Sequence, residues 1–123
     1  MNTKCVIVCL NSEHLPLVEE ILERNSQENF VLMDVSTARK EIAMRSVIEF
    51  AAREKSTKIY LIGKHLNPLL VNMTNECLRS GIETFVVVDS VESSDWLKTM
   101  RIFHSGGICT ELEDFISQYK LNS

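Results

Sequence analysis

Four short apolar runs each end at a polar switch. They are Val6-Ile7-Val8-Cys9-Leu10 before Asn11-Ser12-Glu13-His14, Phe30-Val31-Leu32-Met33 before Asp34, Ile59-Tyr60-Leu61-Ile62 before Gly63-Lys64-His65, and Phe85-Val86-Val87-Val88 before Asp89-Ser90. Short, near-continuous apolar runs predict strands buried on both faces. The segments between them carry apolar residues at helical spacing. Residues 13–24 place Leu15, Val18, Ile21 and Leu22 on one stripe, with Ser12 as N-cap and Pro16 in the first turn. Residues 37–54 form the longest predicted helix, with Ala43, Val47, Phe50 and Ala51 inward and Ile42 and Ile48 beside them. Polar connections are expected at 25–29 and at 55–57.

Asn67-Pro68 predicts a capped helix start, with Leu70, Met73 and Cys77 inward and Gly81 ending the helix in a left-handed conformation. Ser93-Ser94-Asp95 opens a further helix whose Trp96, Met100 and Phe103 read as a core-facing stripe. Ser105-Gly106-Gly107 stops it. Ile108-Cys109 is a brief fifth strand. Thr110 with Glu113 reads as a capping box for a last helix carrying Leu112, Phe115, Ile116 and Tyr119.

This alternation predicts an α/β fold: a single three-layer domain over residues 1–123, with about five parallel strands and helices on both faces. Right-handed crossovers favour the strand order 2-1-3-4-5. A chain of 123 residues suits one domain with a real core. The net charge of −4 argues against nucleic acid or an anionic membrane as partner. No apolar stretch reaches the roughly 20 residues of a membrane span, and Met1–Lys4 shows no signal-peptide pattern, so a cytoplasmic location is expected. Cys5, Cys9, Cys77 and Cys109 match no zinc spacing and read as reduced core thiols.

Ligands of such sheets bind outside the carboxyl ends of the strands. That rule gathers Asn11, Ser12, Glu13 and His14, then Asp34, then Gly63, Lys64 and His65, then Asp89 and Ser90 as candidate ligand-binding residues. Glu13, His14, His65 and Asp89 offer a metal or acid–base set, although all four are also ordinary polar loop residues. The Gly63–Pro68 turn offers an anion site, with Lys64 adding charge to a helix N-terminus; an ordinary capped turn explains it equally well. No G-x-G-x-x-G or G-x-S-x-G motif is present. The expectation is therefore no bound metal and no cofactor.

Two families share this architecture. Response-regulator receiver domains carry an acidic pair after strand one, a phospho-accepting Asp after strand three and a Lys after strand five. Here these positions hold Asn11-Ser12-Glu13, Gly63 and Thr110. The stretch Ile59–Gly63, Leu69–Arg79 and Gly81–Val91, continuing through Glu92–Leu97 and Ser105–Thr110, resembles the N-terminal domain of DHH-family phosphoesterases. In that family, strands end in an Asp and in Asp-His-His. Of these ligands only Asp89 is present, because Gly63, Ser90 and Val91 stand at the others.

The resemblance thus implies a pseudoenzyme that kept the scaffold. The expected function is a noncatalytic binding or regulatory module, engaging a protein partner, a second copy or a small phosphorylated ligand. The edge strand at 30–34 and the exposed side of the terminal helices are candidate surfaces. The alternatives are a small metal-dependent phosphoesterase-like hydrolase and a receiver-like signalling module without a phospho-acceptor.

Overall fold

A computed structural model describes residues 4–25, 29–53 and 58–119. Residues 1–3, 26–28, 54–57 and 120–123, with the side chain of Tyr119, lie outside that description, and with them most of the expected connections at 25–29 and 55–57.

The order of elements is β1 (Cys5–Cys9), α1 (Leu15–Arg24), β2 (Phe30–Asp34), α2 (Lys40–Arg53), β3 (Lys58–Ile62), α3 (Pro68–Arg79), β4 (Glu83–Val88), α4 (Trp96–His104), β5 (Ile108–Glu111) and α5 (Leu112–Tyr119). All strands pair in parallel, in the order β2-β1-β3-β4-β5. This is the predicted fold and strand order.

Strand alternation divides the core in two. Val6, Val8, Ile59, Leu61, Val86 and Val88 meet α2, α3 and α4 through Ala43, Val47, Leu70, Met73 and Ile102. Cys5, Ile7, Cys9, Tyr60, Ile62 and Val87 meet α1 and α5 through Val18, Ile21 and Phe115. The period-2 pleat sends successive side chains to opposite layers, so the central strands β1, β3 and β4 find apolar company on both faces.

Local signals hold in part. The Asn67 side chain caps α3 by accepting from the Leu70 amide at 2.9 Å, with Pro68 in the first turn. Gly81 takes φ 79°, as its capping role requires. Ser12 does not cap α1: residues Ser12–His14 form a 3-10 turn, and α1 begins at Leu15 without a side-chain cap. Thr110 does not cap α5 either, because β5 runs through Glu111 and takes Thr110 into the strand. Ile42 faces solvent on α2.

The largest correction concerns α4. Trp96, Met100 and Phe103 are 58%, 42% and 67% exposed, and Leu97 beside them is 55% exposed; Ile102 is the residue that α4 buries. The helix lies beside α3 and against β5, an edge strand. At the margin of a sheet there is no neighbour to cover a second side. Gly107 lets the following turn close onto α4, since a Cβ there would sit 2.9 Å from the Ile102 side chain.

The four cysteines are free thiols. Burial pushes Cys9, with Asp34 nearby, and Cys77 up to about 12. The folded value lies above the unfolded one, so their contribution to stability is intact below about pH 9 and is lost as pH rises toward about 12. Between about pH 9 and 11 the unfolding free energy is expected to fall, by up to about 1.4 kcal/mol per pH unit for each thiol. Cys77→Ala should flatten that slope; an unchanged slope in this variant would refute the assignment.

Candidate functional site

The carboxyl edge of the sheet is knitted by bonds that run beyond the strands. The Leu10 amide donates to the Ile62 carbonyl at 2.9 Å, Gly63 to Val87 at 2.9 Å, and Asp89 to Lys64 at 3.3 Å. These bonds keep the loops after β1, β3 and β4 in register, and they bring the predicted residues of those three loops together.

Asn11 bridges two loops: its side-chain oxygen accepts from the Lys64 amide at 3.0 Å. The 3-10 turn then carries Glu13 outward and His14 inward. Lys64 Nζ lies 3.6 Å from Glu13 Oε1, with both side chains about half exposed. A pair so open to water contributes little to stability.

His14 is 4% exposed, and its Nε2 lies 2.8 Å from Asp89 Oδ1. An ionised carboxylate only accepts, so Nε2 carries the proton in this bond. Nδ1 is buried and has no partner among the described residues. Seventy-five positions separate His14 from Asp89, and only the β1-β3-β4 order makes them neighbours.

The remaining candidates are not part of this cluster. His65 is an exposed loop residue whose carbonyl accepts from the Asn67 amide at 2.8 Å. Asp34 is exposed at the end of edge strand β2, where Oδ1 accepts from the Ser36 amide at 2.9 Å. Ser12 and Ser90 are exposed, and the Ser90 hydroxyl donates to Glu92 at 3.2 Å. Two contacts escaped the sequence reading: the Val91 amide donates to Glu111 at 2.7 Å, and Lys98 Nζ donates to the Leu66 carbonyl at 3.0 Å. No motif spacing announces either.

The chemistry available here is limited. Glu13, His14 and Asp89 place one ligand atom each within 4.8 Å of one another, a geometry three ligands of a cation can share. Such an ion would have to part His14 from Asp89 and would meet the Lys64 ammonium beside Glu13. The expected fourth member, His65, is not in the group. Several backbone donors in and just after the Gly63–Pro68 turn are already engaged. The amides of Gly63, Lys64, Asn67, Leu70 and Val71 are all hydrogen-bonded, and Pro68 has none to give.

Two surface features lie apart from this edge. A groove of about 660 Å³ between α2 and α3 has Met44, Ile48 and Leu69 among its apolar lining and Lys40, Arg45 and Glu49 among its charged residues. A hollow between the ends of α3 and α4 gathers Arg79, Arg101 and His104. Among the described residues no helix is long and apolar enough to cross a membrane.

No family model matches this chain, and no curated protein does. Solved structures do. A protein of Burkholderia pseudomallei described as pilus assembly-related is 11% identical, with a TM-score of 0.64 over 95% of this chain and 88% of that one. A pilus assembly protein of Burkholderia thailandensis, also 11% identical, gives a TM-score of 0.60 over 95% and 97%. At that identity the likeness shows the fold alone: a five-stranded parallel α/β domain in the order 2-1-3-4-5.

Proposed function

We propose that this chain is a noncatalytic, receiver-like module that works by binding protein through the outer face of α4. The observation that carries this reading is the set of four large apolar side chains, Trp96, Leu97, Met100 and Phe103, standing in water on one helix. Taking about 200 Å² for a whole side chain of this size, they expose roughly 450 Å² of apolar surface. A contiguous patch of that area is commonly an interaction site.

The carboxyl edge supports the noncatalytic half of the reading. Gly63 stands where a receiver would carry its phospho-acceptor, and the polar groups beside it are tied to protein: Asn11 to the Lys64 amide, and His14 to Asp89. In this reading the DHH-like rhythm of residues 58–117 is an inherited scaffold. The pilus assembly proteins of like fold favour a role inside a larger protein assembly.

Affinity capture with wild-type protein and with a Trp96→Glu, Phe103→Glu double variant tests the proposal. Wild type should retain a protein that the variant loses, and neither should turn over a generic phosphodiester with Mn²⁺ or incorporate phosphate from acetyl phosphate. Equal retention by both forms, or turnover that Asp89→Ala abolishes, would count decisively against it.

A further inference from the structure

We propose that the partner of the α4 face is a second copy of this chain, seated by antiparallel packing of α4 on α4. This rests on the reading of α4 as the binding face and adds the identity of what covers it.

The position of the side chains comes first. At 100° per residue, Trp96, Leu97, Met100 and Phe103 fall within an arc of about 120°. Ile102 points the other way, into the core between the sheet and α3. An apolar stripe of that width is what one helix offers another.

The area fits a protein interface. The apolar part of an interface is roughly 56–65% of its total. A patch of about 450 Å² therefore belongs to a contact of roughly 700–800 Å² per partner. That is the usual size of a specific interface, about 800 Å² per partner.

The charges select a copy of the same chain, run in the opposite direction. The exposed acid at the start of α4 is Glu92, at the head of the turn that precedes the helix. Its end is basic, with Arg101 and His104 in the last turn and Arg79 of α3 beside them. Arg101 and His104 enter no ion pair among the described residues. Asp95 pairs with Lys98 at 3.7 Å, and Arg79 pairs with Glu76. A two-fold axis through the patch lays the acidic start of each α4 over the basic end of the other and opposes their helix dipoles favourably. Symmetric interfaces of this type are the commonest in oligomers. A parallel copy would instead stack like charges at both ends.

The dimer is tested by sedimentation velocity from about 1 to 500 μM, a span that covers the affinities of interfaces this size. Emission of Trp96, the chain's single tryptophan, is recorded on the same samples. The mass should double with concentration and the emission should move to the blue in step. Phe103→Glu should weaken association by at least about 100-fold while leaving circular dichroism and the melting temperature unchanged, because the position is exposed.

A charge exchange reads out the direction of packing. Arg101→Glu alone and Glu92→Arg alone each oppose like charges in their own dimers and should associate at least tenfold more weakly, by roughly 1.4 kcal/mol. An equimolar mixture of the two restores opposite charges at both ends and should dimerise as wild type does. A dimer that Phe103→Glu leaves intact, or a mixture no tighter than its components, overturns the proposal. Wild type that stays monomeric at about 500 μM overturns it too. In that last case, loss of capture in the Trp96→Glu, Phe103→Glu variant would show that the binding-face reading survives with another protein as partner.

Discussion

Phe115→Ala is expected to lower the unfolding free energy by about 3–5 kcal/mol, a large share of the 5–15 kcal/mol typical of a domain. α5 is eight residues long, far too short to be helical alone in water. Among the described side chains of α5, Phe115 is the one fully buried, at 1% exposure. Its ring centroid lies 5.2 Å from that of Tyr60, which stacks on Phe85 at 4.9 Å. Removing the ring leaves a cavity between α5 and the sheet and releases the helix together with the layer it covers. Urea denaturation followed by circular dichroism measures the loss. A shift below about 1 kcal/mol would mean that α5 is held by something other than this ring.

The second large effect concerns the pair at the carboxyl edge. Asp89→Ala is expected to destabilise by about 1–3 kcal/mol, because it leaves the buried Nε2–H of His14 without an acceptor. His14→Leu in the same background removes the stranded donor and fills the space with apolar atoms. The double variant should therefore recover most of the loss. The coupling between the two positions, read from a double-mutant cycle, is expected to exceed about 0.5 kcal/mol. Additive losses would mean that the 2.8 Å contact contributes nothing of its own. The cycle also bears on function: a pair retained for stability predicts that Asp89→Ala alters melting and leaves protein capture by α4 intact.

The strands and their order were legible because burial on both faces leaves an unmistakable mark. Ile59–Ile62 and Val86–Val88 have almost no polar interruption, and βαβ handedness then leaves few arrangements. The Asn67-Pro68 start and the Gly81 stop were legible because each answers a local backbone demand. The loops that meet at the carboxyl edge were legible for the same topological reason, so Asn11, Glu13, His14, Lys64 and Asp89 fell together as expected. Which of them touch was not. The inward turn of His14 depends on the 3-10 geometry of Ser12–His14, and the outward place of His65 depends on a loop whose backbone bonds to itself.

The reading of α4 failed for an instructive reason. Helical periodicity reports that a stripe is apolar and is silent on what covers it. Trp96, Met100 and Phe103 make a cleaner stripe than the single inward Ile102, so the pattern pointed to the wrong side. In a helix over the middle of a sheet both readings coincide. Beside an edge strand they separate, and a strong stripe facing outward becomes evidence about partners.

The strand order also constrains how the chain comes off the ribosome. β1 emerges first yet lies between β2 and β3, and its five residues are all buried in the finished sheet. At 5–20 residues per second, Ile62 follows Cys9 by roughly 3–10 s. During that interval one backbone edge of β1 has no strand to pair with, and a nascent chain of this topology must keep it from meeting another chain until β3 arrives.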